Sequence, residues 1–269
     1  MRILKSLATK TLSRGVLTLA SKRYIFVFHD VSDPDSQQFS ESYSTPVEVF
    51  RNQIEFLSQR FEFVPLNSVL EPRAILRKRR IASLTFDDGF LSVRDDAFPF
   101  LSSKGIPFAL FVNGTAVKHN RLSNCAIPTE PSREFSSKVF LDEDDVRYLS
   151  GRGVLIGSHS YNHKVLSACS DEELDEEILQ NKFYLESLTK QKVDHFALPF
   201  GKREHYSSRV LEFCAAAGHD FVYTSNPTYF DPGRLGGKPR LIPRIGLTNQ
   251  SAEELLFLIN RPLIRLIDI

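Results

Sequence analysis

The chain has 269 residues, 42% of them hydrophobic and 25% charged, with a formal net charge of +1. This is globular composition, long enough for one barrel-type domain or two small ones, and the balanced charge excludes a global field that would recruit nucleic acid. Three widely spaced cysteines, Cys125, Cys169 and Cys214, with no Cys-x-x-Cys, point to reduced thiols and a cytoplasmic fold rather than a disulfide scaffold.

Residues 1–23 carry Arg2, Lys5, Lys10, Arg14, Lys22 and Arg23 and no acid. Leu4, Leu7, Leu12, Val16 and Leu19 fall near helical spacing, so the segment reads as a basic amphipathic helix. Its apolar part, residues 15–20, is shorter than a signal-peptide core, and no run in the chain approaches the ~20 residues that span a bilayer. A solvated helix packed on the domain is expected. The alternative is a peripheral contact with the anionic inner face of a membrane.

Residues 24–28 form a short apolar strand ending at His29. A polar loop over 32–44 leads to Thr45, Pro46 and Glu48, a helix start with Thr45 as cap, followed by a face of Val49, Phe50, Ile54 and Leu57. A strand over 61–66 and a short helix from Asn67 come next. The basic run at 77–80 suits a solvated face or a helix C-terminus. Strand 81–86 stops at Asp87, Asp88 and Gly89. Asp-Gly alone is ordinary turn chemistry. At a strand end, however, alternating side chains let one carboxylate face a metal and its neighbour a water or substrate, and two adjacent acids need a cation or a shared proton.

A helix over 94–104, a buried strand over 106–112 and a long polar loop over 113–139 follow; a loop of that length is functional or disordered as a rule. The acids at 142–145 read as helix capping and not as a calcium site, since the ligand spacing and central glycine are missing. A strand over 153–157 ends at Ser158 and His159. Ser170 and Glu173 form a capping box that opens a helix with Leu174, Ile178, Leu185 and Leu188 on one face. Strand 196–198 ends at Pro199, Phe200 and Gly201. Helix 207–217, strand 221–224, strand 241–245 and helix 251–259 complete the chain.

Alternating strands and helices predict a parallel sheet closed or curved by helices. The polar residues at the strand ends then share one face, where such barrels carry their sites. The four-residue spacing of His159 and His163 puts both imidazoles on one side of a helical turn, a familiar way to aim two nitrogens at one metal. Two histidines and a carboxylate suit zinc or a similar divalent ion. His119, His195, His205 and His219 read as structural or solvated, whereas His29 ends a strand on the proposed active face.

These runs together resemble a known family, the polysaccharide deacetylases with a NodB-homology domain. TFDDG at 85–89, HSYNH at 159–163 and FALPFG at 196–201 are similar to its three motifs in order and spacing. The resemblance extends from about Tyr24 to the last strand, and residues 24–269 would form a single catalytic domain. It implies an α/β fold, a distorted TIM-like (β/α) barrel with fewer than eight regular units. It also implies a metal-dependent hydrolase that removes N-acetyl, or O-acetyl, groups from a carbohydrate, polysaccharide or glycoconjugate.

By the same resemblance Asp88, His159 and His163 would hold the metal (zinc, with cobalt or nickel as alternatives) and Asp87 would be the general base. Pro199, Phe200 and Gly201 would bind substrate, with backbone N–H groups near Phe200 facing the oxyanion. The late Leu-x-His motif is absent, and there is no tryptophan. FHDV at 28–31 is similar to a subgroup with a histidine ending its first strand, which nominates His29 as general acid. Arg244 resembles the arginine of that subgroup's last strand, either orienting Asp87 or serving as a surface cation. Hydrolysis of another amide or an ester by the same groups, or an inactive glycan-binding relative, are the competing expectations.

Overall fold

The computed structural model describes residues 22–71, 80–120 and 137–260. Most of the basic segment over 1–23, the run at 77–79, Cys125 and most of the long loop over 113–139 therefore lie outside the described residues. The first strand begins at the buried Arg23, one residue before its predicted start.

The strands are β1 (Arg23–Phe28), β2 (Phe61–Phe63), β3 (Arg80–Phe86), β4 (Phe108–Val112), β5 (Leu155–Ser158), β6 (His195–Ala197), β7 (Phe221–Thr224), β8 (Arg240–Pro243) and β9 (Ile245–Gly246). All strand pairings are parallel, in the order β8-β7-β6-β5-β4-β3-β1-β9, with β2 beside β3. The ends of that path, β8 and β9, are joined by one residue, Arg244. The last predicted strand is thus split: its first half pairs with β7, its second with β1, and the sheet nearly closes into a barrel.

Side-chain alternation sorts the strand residues into two layers. Ile25, Ile81, Ala109, Phe111, Ala197, Tyr223 and Ile242 pack together in one cluster, with helix α2 (Leu66–Leu70) against it. The intervening residues, including Phe26, Phe28, Leu84, Phe86, Leu110 and Val112, pack against the outer helices. Those helices include α1 (Val47–Ser58), α3 (Phe98–Ser103), α4 (Gly114–His119) and α5 (Glu143–Gly151). Edge-on aromatic pairs knit that layer, with Phe28–Phe50 centroids 5.1 Å and Phe86–Phe108 centroids 5.2 Å apart.

Several local expectations change. Thr45 does not cap α1: Pro46 occupies the cap position, and the first free N–H, on Val47, donates to Asp33 Oδ1 at 3.1 Å. The strand at 61 ends at Phe63, because α2 begins directly after Pro65. The loop at 113 starts with helix α4. The helix from Ser170 keeps its capping box but carries a π-turn, running as α6 (Asp171–Leu174), Asp175–Gln180 in π geometry and α7 (Asn181–Thr189). The acids at 142–145 cap α5 as expected, with Asp145 N–H donating to Asp142 Oδ1 at 3.0 Å. Helix α8 (Ser208–Ala216) and helix α9 (Ala252–Asn260) are the last helices among the described residues. No helix among the described residues is long and apolar enough to cross a membrane.

His195 opens β6 at the end of the barrel away from the clustered polar residues. Its Nδ1 lies 2.7 Å from the Tyr223 hydroxyl and its Nε2 2.8 Å from Asn67 Oδ1. Burial holds the imidazole down at about 4. The unfolded chain, titrating near 6.5, therefore binds the extra proton, and His195 contributes stability that is full above about pH 6.5 and lost as pH falls towards 4. Thermal melts from pH 7.5 to 4.5 should show a falling midpoint, with a shallower fall in His195→Gln; equal slopes would contradict this account.

Candidate active site

The C-terminal ends of β1, β3, β5 and β6 bring His29, Asp87, Asp88, His159, His163 and Phe200 around one cavity of about 410 Å³. The site is built by sharp backbone exits. Asp88, His163 and Phe200 all have positive φ (69°, 57° and 61°). Non-glycine residues hold that region only where the surroundings impose it, and such strain gathers at functional sites. Gly201 follows Phe200 at φ 62°, and a Cβ there would meet the Ser225 backbone nitrogen at 2.6 Å, so only glycine fits. The two histidines are not on a helical turn, as their spacing suggested, but on an irregular loop with Ser160 also at φ 63°.

Asp87 and Asp88 have opposite surroundings. Asp87 is gripped by Arg244 in a two-pronged pair, with Nη1 to Oδ1 at 2.8 Å and Nη2 to Oδ2 at 2.6 Å. Arg244 is completely buried, which rules out the surface-cation reading. Its Nη1 also reaches Thr85 Oγ1 at 3.3 Å and its Nε the Thr224 carbonyl at 3.4 Å, and its guanidinium lies 5.4 Å from the Phe111 ring centroid. Burial pushes the Asp87 carboxyl up; the Arg244 guanidinium, then His159, outweigh it and hold the carboxyl below the usual range.

Asp88 has no such partner. Both of its oxygens are buried without a well-formed hydrogen bond. His159 Nε2 and His163 Nε2 each lie 3.4 Å from Oδ1. His159 Nδ1 is 2.8 Å from the Ala197 carbonyl, where it donates, so in the neutral ring the Nε2 lone pair points at Asp88. Burial holds His163 down at about 4, in the neutral state that can ligate a cation. Burial lowers His159 too, but Asp87 and Asp88 together raise it above its ordinary value, so a cation and a proton compete for its Nε2. Ligand atoms of Asp88, His159 and His163 lie within 4.8 Å of one another. A buried carboxylate without a well-formed hydrogen bond, facing two imidazole nitrogens, is short of positive charge, and a divalent ion fits that donor set.

The other sequence-nominated residues also reach the cavity. His29 is half-buried on its wall, with Nδ1 lacking a partner. Behind it, fully buried Asp30 accepts from Ser44 Oγ and Ser92 Oγ, both at 2.7 Å, and from Ser32, pinning the loop that follows β1. At the third motif the Gly201 N–H donates back to Pro199 O at 2.7 Å. The Phe200 N–H makes no hydrogen bond among the described residues, so it is the donor left free in that turn.

Ser42, Tyr43, Lys202, His205, Ser225 and Thr248 also line the cavity. The sequence alone singles out none of the other five and gives His205 a structural or solvated place. Its ring in fact stands 5.2 Å from the Phe200 ring, which stands 4.7 Å from His163. Its position four residues past Gly201 was the available signal.

Removing the guanidinium strands a buried carboxylate. Arg244→Met should therefore lower unfolding free energy by about 3–5 kcal/mol. Adding Asp87→Asn to it should recover much of the loss. Urea denaturation of the two single variants and the double variant measures this; a loss below about 1 kcal/mol in Arg244→Met, on the scale of an exposed pair, would contradict it.

Comparisons with known proteins agree with this arrangement. The family model described as polysaccharide deacetylase matches residues 76–222. A putative polysaccharide deacetylase of Bacillus subtilis, YxkH, is 22% identical over 144 residues, 54% of this chain and 44% of that protein. The match thus spans less than half of the relative's length. Among solved structures, the Streptococcus pyogenes deacetylase PplD, in complex with acetate, superimposes with a TM-score of 0.69 at 20% identity, covering 88% of this chain and 98% of its own. IcaB from Ammonifex degensii gives 0.65 at 21% identity, over 87% and 95% respectively. These two likenesses bear on the fold, a distorted TIM-like barrel. The family match takes in more than half of the sequence, including the Asp87–Asp88 and His159–His163 motifs, and on that ground the chain belongs to the polysaccharide deacetylase family.

Proposed function

We propose that the protein is a metal-dependent hydrolase that removes acetyl groups from the amino groups of a carbohydrate. The observation that carries this reading is the division between neighbouring acids: Asp88, buried without a partner, faces two imidazole nitrogens, while Asp87 is held by Arg244. An inactive binding module would need neither arrangement. The acetate in the Streptococcus pyogenes structure is the product this chemistry expects.

In this reading Asp88, His159 and His163 hold a divalent ion, zinc first, with cobalt or nickel as substitutes. The ion, when bound, supplies positive charge that polarises the acetyl carbonyl and makes a water more acidic. Asp87 takes the proton from the attacking water as general base. Arg244 keeps Asp87 ionised and fixes its two oxygens, so the carboxylate meets the water in one orientation. The free Phe200 N–H donates to the oxygen that gains charge as the carbonyl carbon becomes tetrahedral. His29, on the cavity wall, delivers a proton to the leaving nitrogen when the C–N bond breaks, which gives acetate and a free amine. An ester substrate would use the same groups but ask less of His29, because an alkoxide leaves more readily than an amide nitrogen. The cavity of about 410 Å³ is within the usual size range of a small-ligand site, enough to receive an acetylated sugar unit.

Acetate release from N-acetylglucosamine oligomers of graded length tests the reading, alongside acetylated esters and simple amides. The expected result is release from the N-acetyl sugars, abolished by a chelator and restored by zinc or cobalt. Metal binding without turnover on any of these substrates would favour a binding module instead. His29→Ala should lower turnover by about 10²–10⁴-fold on the amide and less on the ester, with metal content unchanged. Near-normal amide turnover in that variant would remove His29 from the acid role.

A further inference from the structure

His163 is the less secured of the two histidines that face Asp88. His159 is oriented through its Nδ1, which donates to the Ala197 carbonyl. His163 Nδ1 has no hydrogen-bond partner. Metal-binding histidines are ordinarily aimed by a hydrogen bond from the second ring nitrogen. For His163 that task falls to its backbone and to the Phe200 ring, 4.7 Å away. The backbone is in turn a conformation that needs holding, since Ser160 and His163 both sit at positive φ.

The holding frame is polar, buried and centred on the residue just before His163. Glu177 is completely buried, and its carboxylate makes no ion pair among the described residues. Its Oε2 accepts the Asn162 N–H at 2.8 Å, and its Oε1 accepts Asn162 Nδ2 at 2.9 Å. The Asn162 carboxamide oxygen accepts from Thr115 Oγ1 at 2.6 Å, and the Thr115 N–H donates to the Tyr161 carbonyl at 2.9 Å. Beyond His163's own N–H, Ser160 Oγ closes the turn at 3.0 Å. Asn162 is therefore clamped by its main chain and both ends of its side chain.

Glu177 owes its aim to the π-turn Asp175–Gln180 that carries it. An inserted residue in a helix rotates the following side chains by a fraction of a turn, and such turns recur at functional sites. Asn181, the first residue beyond it, presents Nδ2 to the Val112 carbonyl at 3.1 Å and to Ser158 Oγ at 2.8 Å, at the ends of β4 and β5. The turn thus sends Glu177 and Asn181 to the same loop cluster. A fully desolvated carboxylate is costly, and packing alone would be served by an apolar side chain.

We propose that Glu177 is a positioning residue of the metal site: acting through Asn162, its buried carboxylate fixes the left-handed turn that aims His163 Nε2 at Asp88. The inference rests on the metal reading above.

Glu177→Gln keeps shape and one acceptor but sets an amide against Asn162 Nδ2; Glu177→Ala removes both acceptors. Zinc affinity of the full chain, by competition with a chromophoric chelator, should weaken about tenfold in the first and towards a hundredfold in the second. The cobalt-loaded protein should show an altered visible absorption spectrum, while the metal-free Glu177→Gln protein melts close to wild type. If Glu177→Ala does not fold, Glu177→Gln carries the test alone. Unchanged zinc affinity and cobalt spectrum in the variants, with wild type binding normally, would overturn this inference and leave the metal reading standing. Wild type that binds neither zinc nor cobalt would overturn both.

Discussion

The buried pair between Arg244 and Asp87 is the contact on which both barrel and site depend. Arg244 is the single residue between β8 and β9, where the last strand leaves β7 and joins β1. Its guanidinium crosses the barrel mouth to the end of β3 and also touches Thr85 and the Thr224 carbonyl. One side chain therefore ties the strand that closes the sheet to the strand that carries both acids. Such a pair is expensive to bury and repays its desolvation only with two-pronged geometry and further hydrogen bonds, both of which are present here.

The pair also decides what the neighbouring acid can do. Two adjacent carboxylates in a buried pocket cannot both stay ionised without positive charge. Arg244 satisfies Asp87 and leaves Asp88 facing the Nε2 atoms of His159 and His163, of which that of His159 is the acceptor in the neutral ring. The cation proposed at Asp88 would then complement a site in which Arg244 favours the charged form of Asp87. Specialised roles for two identical side chains come from their environments, a general route to separate base and ligand functions on one short turn.

Much of this was legible because strand-end motifs are local. The run from Leu84 to Gly89 announces its own strand, its turn and its acids. The HSYNH and FALPFG runs likewise sit where their strands stop. Less legible was everything that depends on contacts between distant segments. Arg244 looked equally suited to solvent, since nothing in the run Leu241-Ile-Pro-Arg-Ile-Gly246 reveals that a strand will change partners. The helical reading of His159 and His163 failed because the loop is set by Asn162, Glu177 and Thr115, which lie 15 and 47 residues from Asn162 along the chain and meet only in three dimensions. Thr45 misled for a similar reason: Asp33, from the preceding loop, reaches the helix start first. His205 joins the cavity through an edge-on ring contact with Phe200, which only the fold reveals.

The division of labour between the two acids is the central claim, and zinc content and acetate release measured side by side in Asp87→Asn and Asp88→Asn test it most directly. The account predicts that Asp88→Asn loses the metal and the activity together, whereas Asp87→Asn keeps a full equivalent of zinc but falls in turnover by orders of magnitude. Zinc bound normally by Asp88→Asn, or lost from Asp87→Asn, would contradict it.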